Sequence, residues 1–148
     1  MAERLIELFA SLPQNVWEPR PPGDETALAA LERAYELELP SDYRSLLLHS
    51  DGGSLMGAHA AMNLEPIEVL MWHNRDERFV KYLSGMFVIG DDGGGSVYYY
   101  DPGNRHGKGN WALFLIPLGE LASDWQRFTG RRLTETVERI LEGDSFFD

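Results

Sequence analysis

An α+β fold, with a small antiparallel sheet flanked by N- and C-terminal helices, is the architecture this sequence predicts. Three observations carry the expectation. Apolar residues recur at helical spacing in the first third of the chain and again near its end. Between them, Met86-Phe87-Val88-Ile89 and Ser96-Val97-Tyr98-Tyr99-Tyr100 are apolar or aromatic runs joined by Gly90-Asp91-Asp92-Gly93-Gly94-Gly95, which reads as a β-hairpin. A third such run, Trp111 to Ile116, stops at Pro117.

At 148 residues, with 43% hydrophobic and 25% charged residues, the chain has the size and composition of one globular domain. We divide it into an N-terminal helix and Pro-rich connector, 1–23, and a core, 24–148. Cysteine is absent, which excludes a thiolate nucleophile, a disulfide framework and a Cys-based zinc site. The opening segment MAERLIELFASL is interrupted by Glu3 and Glu7 and lacks the basic start and apolar core of a signal peptide. No stretch reaches the ~20 apolar residues of a membrane span. A cytoplasmic protein is expected.

Element by element, Leu5, Leu8, Phe9 and Leu12 mark a short amphipathic helix over Ala2–Leu12. Pro13, Pro19, Pro21 and Pro22 make the next segment an extended connector, pinned by Trp17. Asp24 is placed to cap a helix whose apolar face is Leu28, Leu31 and Tyr35, beside a small stripe of Ala27, Ala30 and Ala34. Pro40 ends that run. Ser41 reads as the cap of a shorter helix through Tyr43, Leu46 and Leu47, closed by Asp51-Gly52-Gly53. Residues 54–83 fit neither period cleanly. One or two further strands are expected from residues 54–72 and, around Pro66 to Met71, a short helix or irregular segment. At the end, Leu118, Leu121, Trp125 and Phe128, then Leu133, Val137, Ile140 and Leu141, have helical spacing, with Gly130 as a kink or a break between two helices. Leu31, Leu39, Tyr43, Leu47 and Phe87 are the expected core.

Two segments resemble the SUKH superfamily. In Leu31-Glu32-Arg33-Ala34-Tyr35-Glu36-Leu37-Glu38-Leu39-Pro40-Ser41-Asp42-Tyr43, running on to Asp51-Gly52-Gly53, the helix bearing Glu32, the Leu-Pro junction at Pro40, the Asp-Tyr start at Tyr43 and the glycine pair Gly52 and Gly53 are similar to the family pattern, with Asp51 where Asn is common. Phe87 to Tyr98 is similar to its strand, Gly/Asp-rich turn and strand, Gly95 included, with Ser96 where an acidic residue often stands. Leu121 to Phe128 resembles its last helix, with Trp125 in an aromatic slot. The family includes fungal regulators of cell-wall assembly and bacterial immunity proteins that neutralise toxins, nucleases among them. The resemblance therefore implies a protein-binding role.

Against chemistry, the signals are weak. The Gly90–Gly95 segment lacks the Lys-Ser/Thr of a P-loop and leads into a strand, not a helix. Asp91, Asp92 and Asp101 fall short of a calcium-loop pattern. His49, His59, His73 and His106 make no metal or triad frame, and no nucleophile elbow occurs. We assign no catalytic, cofactor-binding or metal-ligating residue and expect no cofactor. Arg105-His106-Gly107-Lys108 is a basic island read as a loop tip. Net charge is −11, with 12 acids and 4 bases in residues 1–70 and 12 and 9 in residues 71–148. Such a field disfavours nucleic acid and anionic membranes and favours a basic protein. The expectation is a module that binds a protein partner, a basic toxin domain for instance, through Asp91 and Asp92 of the turn and exposed Tyr98 and Tyr100 of the following strand. The alternatives are a ligand-binding protein or enzyme with a pocket beside the glycine-rich turn, or a cell-wall or signalling regulator.

Overall fold

The computed structural model describes residues 2–147. In chain order the elements are α1 (Ala2–Ala10), β1 (Trp17–Pro19), α2 (Glu25–Tyr35), α3 (Ser41–His49), β2 (Gly53–Met56), β3 (Ala61–Leu64), α4 (Ile67–His73), α5 (Glu77–Tyr82), β4 (Phe87–Asp91), β5 (Ser96–Asp101), β6 (Ala112–Pro117), β7 (Arg127–Gly130) and α6 (Leu133–Leu141), with a 3-10 turn at Leu118–Glu120. The strands form one antiparallel meander in sequence order, β1 to β7. The α+β expectation holds, and the sheet, with seven strands, is larger than the four or five expected.

Both faces of the sheet are covered, which is why its central strands read as unbroken apolar runs. Alternation sends Phe87, Ile89, Tyr98, Tyr100, Leu113 and Leu115 to one face, under Leu5, Leu28, Leu31, Leu47 and Val137 of the helices. Val88, Val97, Tyr99, Phe114 and Ile116 point to the other, beneath Phe79 of α5, Leu83 and Leu121. All five expected core residues are buried.

The motif residues turn out to be joints of the fold. Glu32 accepts hydrogen bonds from the Leu39 N–H (2.9 Å) and the Arg44 Nε (3.2 Å), clamping the end of α2 to the start of α3. Asp51 accepts from the Ile67 N–H at 2.8 Å and starts α4, a task its carboxylate shares with the side-chain oxygen of the Asn common at that place. Gly52 has φ +85°, and a Cβ there would lie 2.4 Å from the Leu64 carbonyl oxygen. Gly53 has φ +151°, and its Cβ would fall 2.4 Å from the Trp17 ring. Only glycine fits that approach. Trp17 does pin the connector, stacking on Phe9 with centroids 3.9 Å apart, while the connector's middle pairs with β2 as an edge strand.

Several boundaries differ from expectation. Asp24 caps α2 through the Ala27 N–H, but α2 ends at Tyr35, well before Pro40, because Glu36 takes the left-handed conformation (φ 52°). Pro40, not Ser41, holds the cap position of α3, its carbonyl accepting from the Arg44 N–H. Ala34 is exposed, so the alanine stripe packs only in part. Gly90 and Asp91 belong to β4, and the turn proper is Asp92–Gly95. Leu118–Phe128 is not a helix: a 3-10 turn leads to β7, where Phe128 pairs with Phe114 and Gly130 with Leu113. The open edge of β6 offers a ladder of backbone partners, and that outweighs a helical spacing of four side chains.

Candidate functional site

The largest group of exposed apolar side chains lies on α4 and α5. Pro66 opens α4, and Ile67 and Leu70 turn inward, which leaves Val69 and Trp72 outside. Asp76 caps α5 by accepting from the Arg78 N–H at 2.9 Å, and Phe79 turns inward, which leaves Val80 and Tyr82 outside. Trp72 is 66% exposed and Val80 60%. The Arg75 guanidinium lies 5.2 Å from the Trp72 ring and the Lys81 ammonium 5.0 Å from that of Tyr82, so cations cover parts of the aromatic faces without burying them.

His73 joins this face to the acidic turn. It lines a shallow hollow of about 480 Å³ with Val69 and Trp72, and a second of about 350 Å³ with Asp91, Gly93 and Gly95. Its Nδ1 lies 2.6 Å from the Glu65 carboxylate. That hydrogen bond holds the His73 pKa above its ordinary value, against burial, with further help from the fields of Glu65, Asp76 and Asp91.

Asp91 adjoins this face through the hollow it shares with His73, and Asp92 follows it in the turn; both are half-buried. Asp91 accepts from the Gly93 N–H (2.8 Å) and the Asn63 amide (2.9 Å). Asp92 accepts from the Gly94 (2.8 Å) and Ser96 (3.0 Å) N–H groups. In each case the carboxylate oxygens shape the backbone of the turn.

The tyrosines require correction. Tyr98 and Tyr100 are both fully buried, so neither is an exposed contact. The Tyr98 hydroxyl donates to the Ala61 carbonyl at 2.8 Å. Tyr99, on the opposite face, is also buried and sits 3.1 Å from His106 Nε2. Burial pushes the hydroxyl pKa values of all three upward. Alternation does put Tyr98 and Tyr100 on one face and Tyr99 on the other, but both faces are covered: Tyr98 and Tyr100 lie under the helices, and Tyr99 is roofed by α5, Leu121 and the loop after β5. The aromatic surface that sequence reasoning sought on β5 is on α4 and α5. Its signal was Val69 and Trp72, three residues apart in a segment whose period could not be assigned.

Asp101 is buried and accepts from the Arg105 and His106 N–H groups, which folds the basic island back on the sheet. Among the described residues no cluster of three or more His, Asp or Glu is placed to hold a metal ion, and no helix is long and apolar enough to cross a membrane. The model of the SMI1 / KNR4 family (SUKH-1) matches residues 22–146, in agreement with the motif resemblance. No curated protein matches the chain.

Proposed function

This chain belongs to the SMI1 / KNR4 family (SUKH-1), and from that premise we propose that it is a non-catalytic protein-binding module of the immunity type, which neutralises a basic toxin domain by direct contact. The observation that carries this reading is the exposed aromatic face of α4 and α5 beside the acidic Asp91–Asp92 turn. Exposed apolar and aromatic side chains interspersed with charged ones have the composition of a protein interface. Trp72 is the natural anchor, since Trp dominates such contacts when a partner desolvates it. The charge excess of the chain supplies long-range attraction to a basic partner. A nuclease suits that description because it carries positive charge for phosphate backbones.

The test is to co-express the chain with a toxin-like protein encoded beside its gene and to measure cell survival and affinity. Trp72→Ala is expected to weaken binding by about 2 kcal/mol or more and to abolish protection. Its thermal midpoint should barely move, because the side chain packs on little in the free protein. Undiminished binding by Trp72→Ala would remove this face from the interface, and turnover of a small substrate by the chain alone would end the binding-module reading.

A further inference from the structure

On α4, Glu68, Trp72 and Arg75 stand at positions i, i+4 and i+7, a spacing that lines them up on one side of a helix. The helix proper ends at His73, but the Arg75 N–H donates to the Trp72 carbonyl at 3.0 Å and carries the turn a step further. All three side chains are exposed, as is Val69 beside them. The other side of α4 is fixed. Ile67 and Leu70 are buried, and the Asn74 amide donates to the Val88 carbonyl (2.8 Å) and accepts from its N–H (2.7 Å), which ties the end of the helix to β4. The stripe is therefore held on the sheet with its outer side open.

Its order is acidic, aromatic, basic, with Trp72 close to midway between the two charges. Such a stripe is complementary to its own reverse. When two copies of α4 meet antiparallel across a two-fold axis, Glu68 of each faces Arg75 of the other and the indoles meet near the axis, as an isologous contact requires. The charges are available for it. Among the described residues neither Glu68 nor Arg75 joins an ion pair, whereas Glu65 is taken by His73 and Asp76 by Arg78. The Arg75 guanidinium lies over the Trp72 ring at 5.2 Å, which keeps it beside the indole. A shallow hollow of about 480 Å³, lined by Val69, Trp72, His73 and Arg75 among others, opens next to that ring, so a projecting side chain and a recess share one patch. Each chain carries a net charge of −11, and two such chains repel one another at long range. Across residues 67–83, Glu68, Asp76 and Glu77 are offset by Arg75, Arg78 and Lys81, so this face meets a copy of itself with little local repulsion.

We propose that the exposed stripe of α4 is a self-association site, through which the free chain forms a two-fold dimer with Trp72 at its centre. This rests on the reading of the same face as the docking surface for a toxin, and it gives that surface a regulation: dimer and toxin complex exclude one another, so the toxin captures the monomer. A contact made by a seven-residue helix and its flanks falls at the small end of protein interfaces, so the dimer is weak and exchanges readily.

The experiment is sedimentation equilibrium of the full chain at low salt, over about a hundredfold range of concentration up to about 1 mM. A monomer–dimer equilibrium is expected. Glu68→Arg should weaken it about tenfold or more, because it opposes two cations at each end of the contact, although it reduces the net negative charge and would strengthen an association limited by overall repulsion. Glu77→Arg makes the same change of charge on α5, outside the stripe, and should associate no more weakly than the natural chain. The double variant, Glu68→Arg with Arg75→Glu, reverses both pairs at the natural net charge and should recover the natural affinity to within about threefold. Glu68 is exposed and unpaired, so its reversal leaves the fold intact and, with the Glu77→Arg control, carries the test even if Arg75→Glu proves unstable. A monomer at every concentration, a dimer indifferent to Glu68→Arg, or a folded double variant that associates no better than Glu68→Arg would each overturn the proposal. No toxin enters these measurements, so a monomeric chain that binds its toxin loses the dimer alone, and a dimer that obeys the charge swap stands whether or not a toxin binds.

Discussion

His73 occupies the seam between the aromatic face of α4 and the acidic turn, and its ionisation is the residue-scale property most open to measurement. The Glu65 hydrogen bond and the fields of Glu65, Asp76 and Asp91 raise its pKa, while burial opposes them. A group whose pKa is raised on folding contributes stability that is complete below its unfolded value, near about 6.5, and is lost as pH rises through the folded value. Denaturation midpoints should therefore fall as pH rises from about 6.5 through the raised folded-state value, and Glu65→Gln should flatten that part of the profile. An NMR titration of the imidazole should show a midpoint above the ordinary one in the natural protein and a lower one in Glu65→Gln. A midpoint unmoved by the substitution would show that the 2.6 Å contact carries no charge. The sequence showed four scattered histidines and gave no sign of this pair, because Glu65 lies before α4 and His73 at its end, and only the helix between them sets their separation. The tyrosines of β5 carry the same lesson: alternation fixed which face each takes, but the cover on each face comes from residues distant in the chain, Leu5, Leu28, Leu31 and Val137 on that of Tyr98 and Tyr100, Phe79 and Leu121 on that of Tyr99.

At the scale of elements, legibility followed the locality of the signal. The β4–β5 hairpin, α2 and α3 were readable because caps, apolar period and glycines sit within a few residues of one another. β1 and β7 were not, since each is a short edge strand whose backbone partner lies elsewhere: β2 for Trp17–Pro19 and β6 for Arg127–Gly130. A stretch of three or four residues carries too little period to declare itself, and for β7 a chance helical spacing pointed the other way. β1 offers a direct test of how such an edge is held. Its Trp17 ring covers Gly53 so closely that a Cβ at position 53 would lie 2.4 Å from the ring and 2.8 Å from the Glu18 carbonyl oxygen, at a φ that L side chains rarely adopt. Gly53→Ala should therefore displace β1 and destabilise the protein by about 1–3 kcal/mol. The displacement would appear as faster proteolysis across residues 13–22. An alanine variant with unchanged stability and protection would mean that β1 yields without loss, and that the Phe9–Trp17 stack does not depend on the close approach.

The charge distribution belongs to the molecule as a whole. It could be read from composition alone, whereas the place where a partner would dock could not. Residues 1–70 carry most of the acidic excess, while the exposed aromatic face lies on α4 and α5, where Arg75, Arg78 and Lys81 offset Glu68, Asp76 and Glu77. Long-range attraction and short-range contact thus have different sources. The field of the chain would draw in a basic partner, and a nearly neutral aromatic face would hold it. Separating the two gives a kinetic expectation. Exposed charges are screened beyond about 10 Å at ~0.1 M salt, so under the proposed reading association with a basic partner should slow by about tenfold or more from low to high ionic strength, while dissociation, if set by Trp72 and its neighbours, should change little. Asp91 and Asp92 allow a local test that spares the turn. Asparagine at either position keeps the Oδ1 that accepts from the Gly93, Gly94 and Ser96 N–H groups and removes only the charge. The double Asp→Asn variant should fold normally, associate more slowly at low salt and show a shallower salt slope. An on-rate and slope identical to those of the natural protein would exclude the turn as the acidic contact and move the search to the N-terminal half. An on-rate indifferent to salt in the natural protein would discard steering altogether and leave the aromatic face as the whole of the interaction.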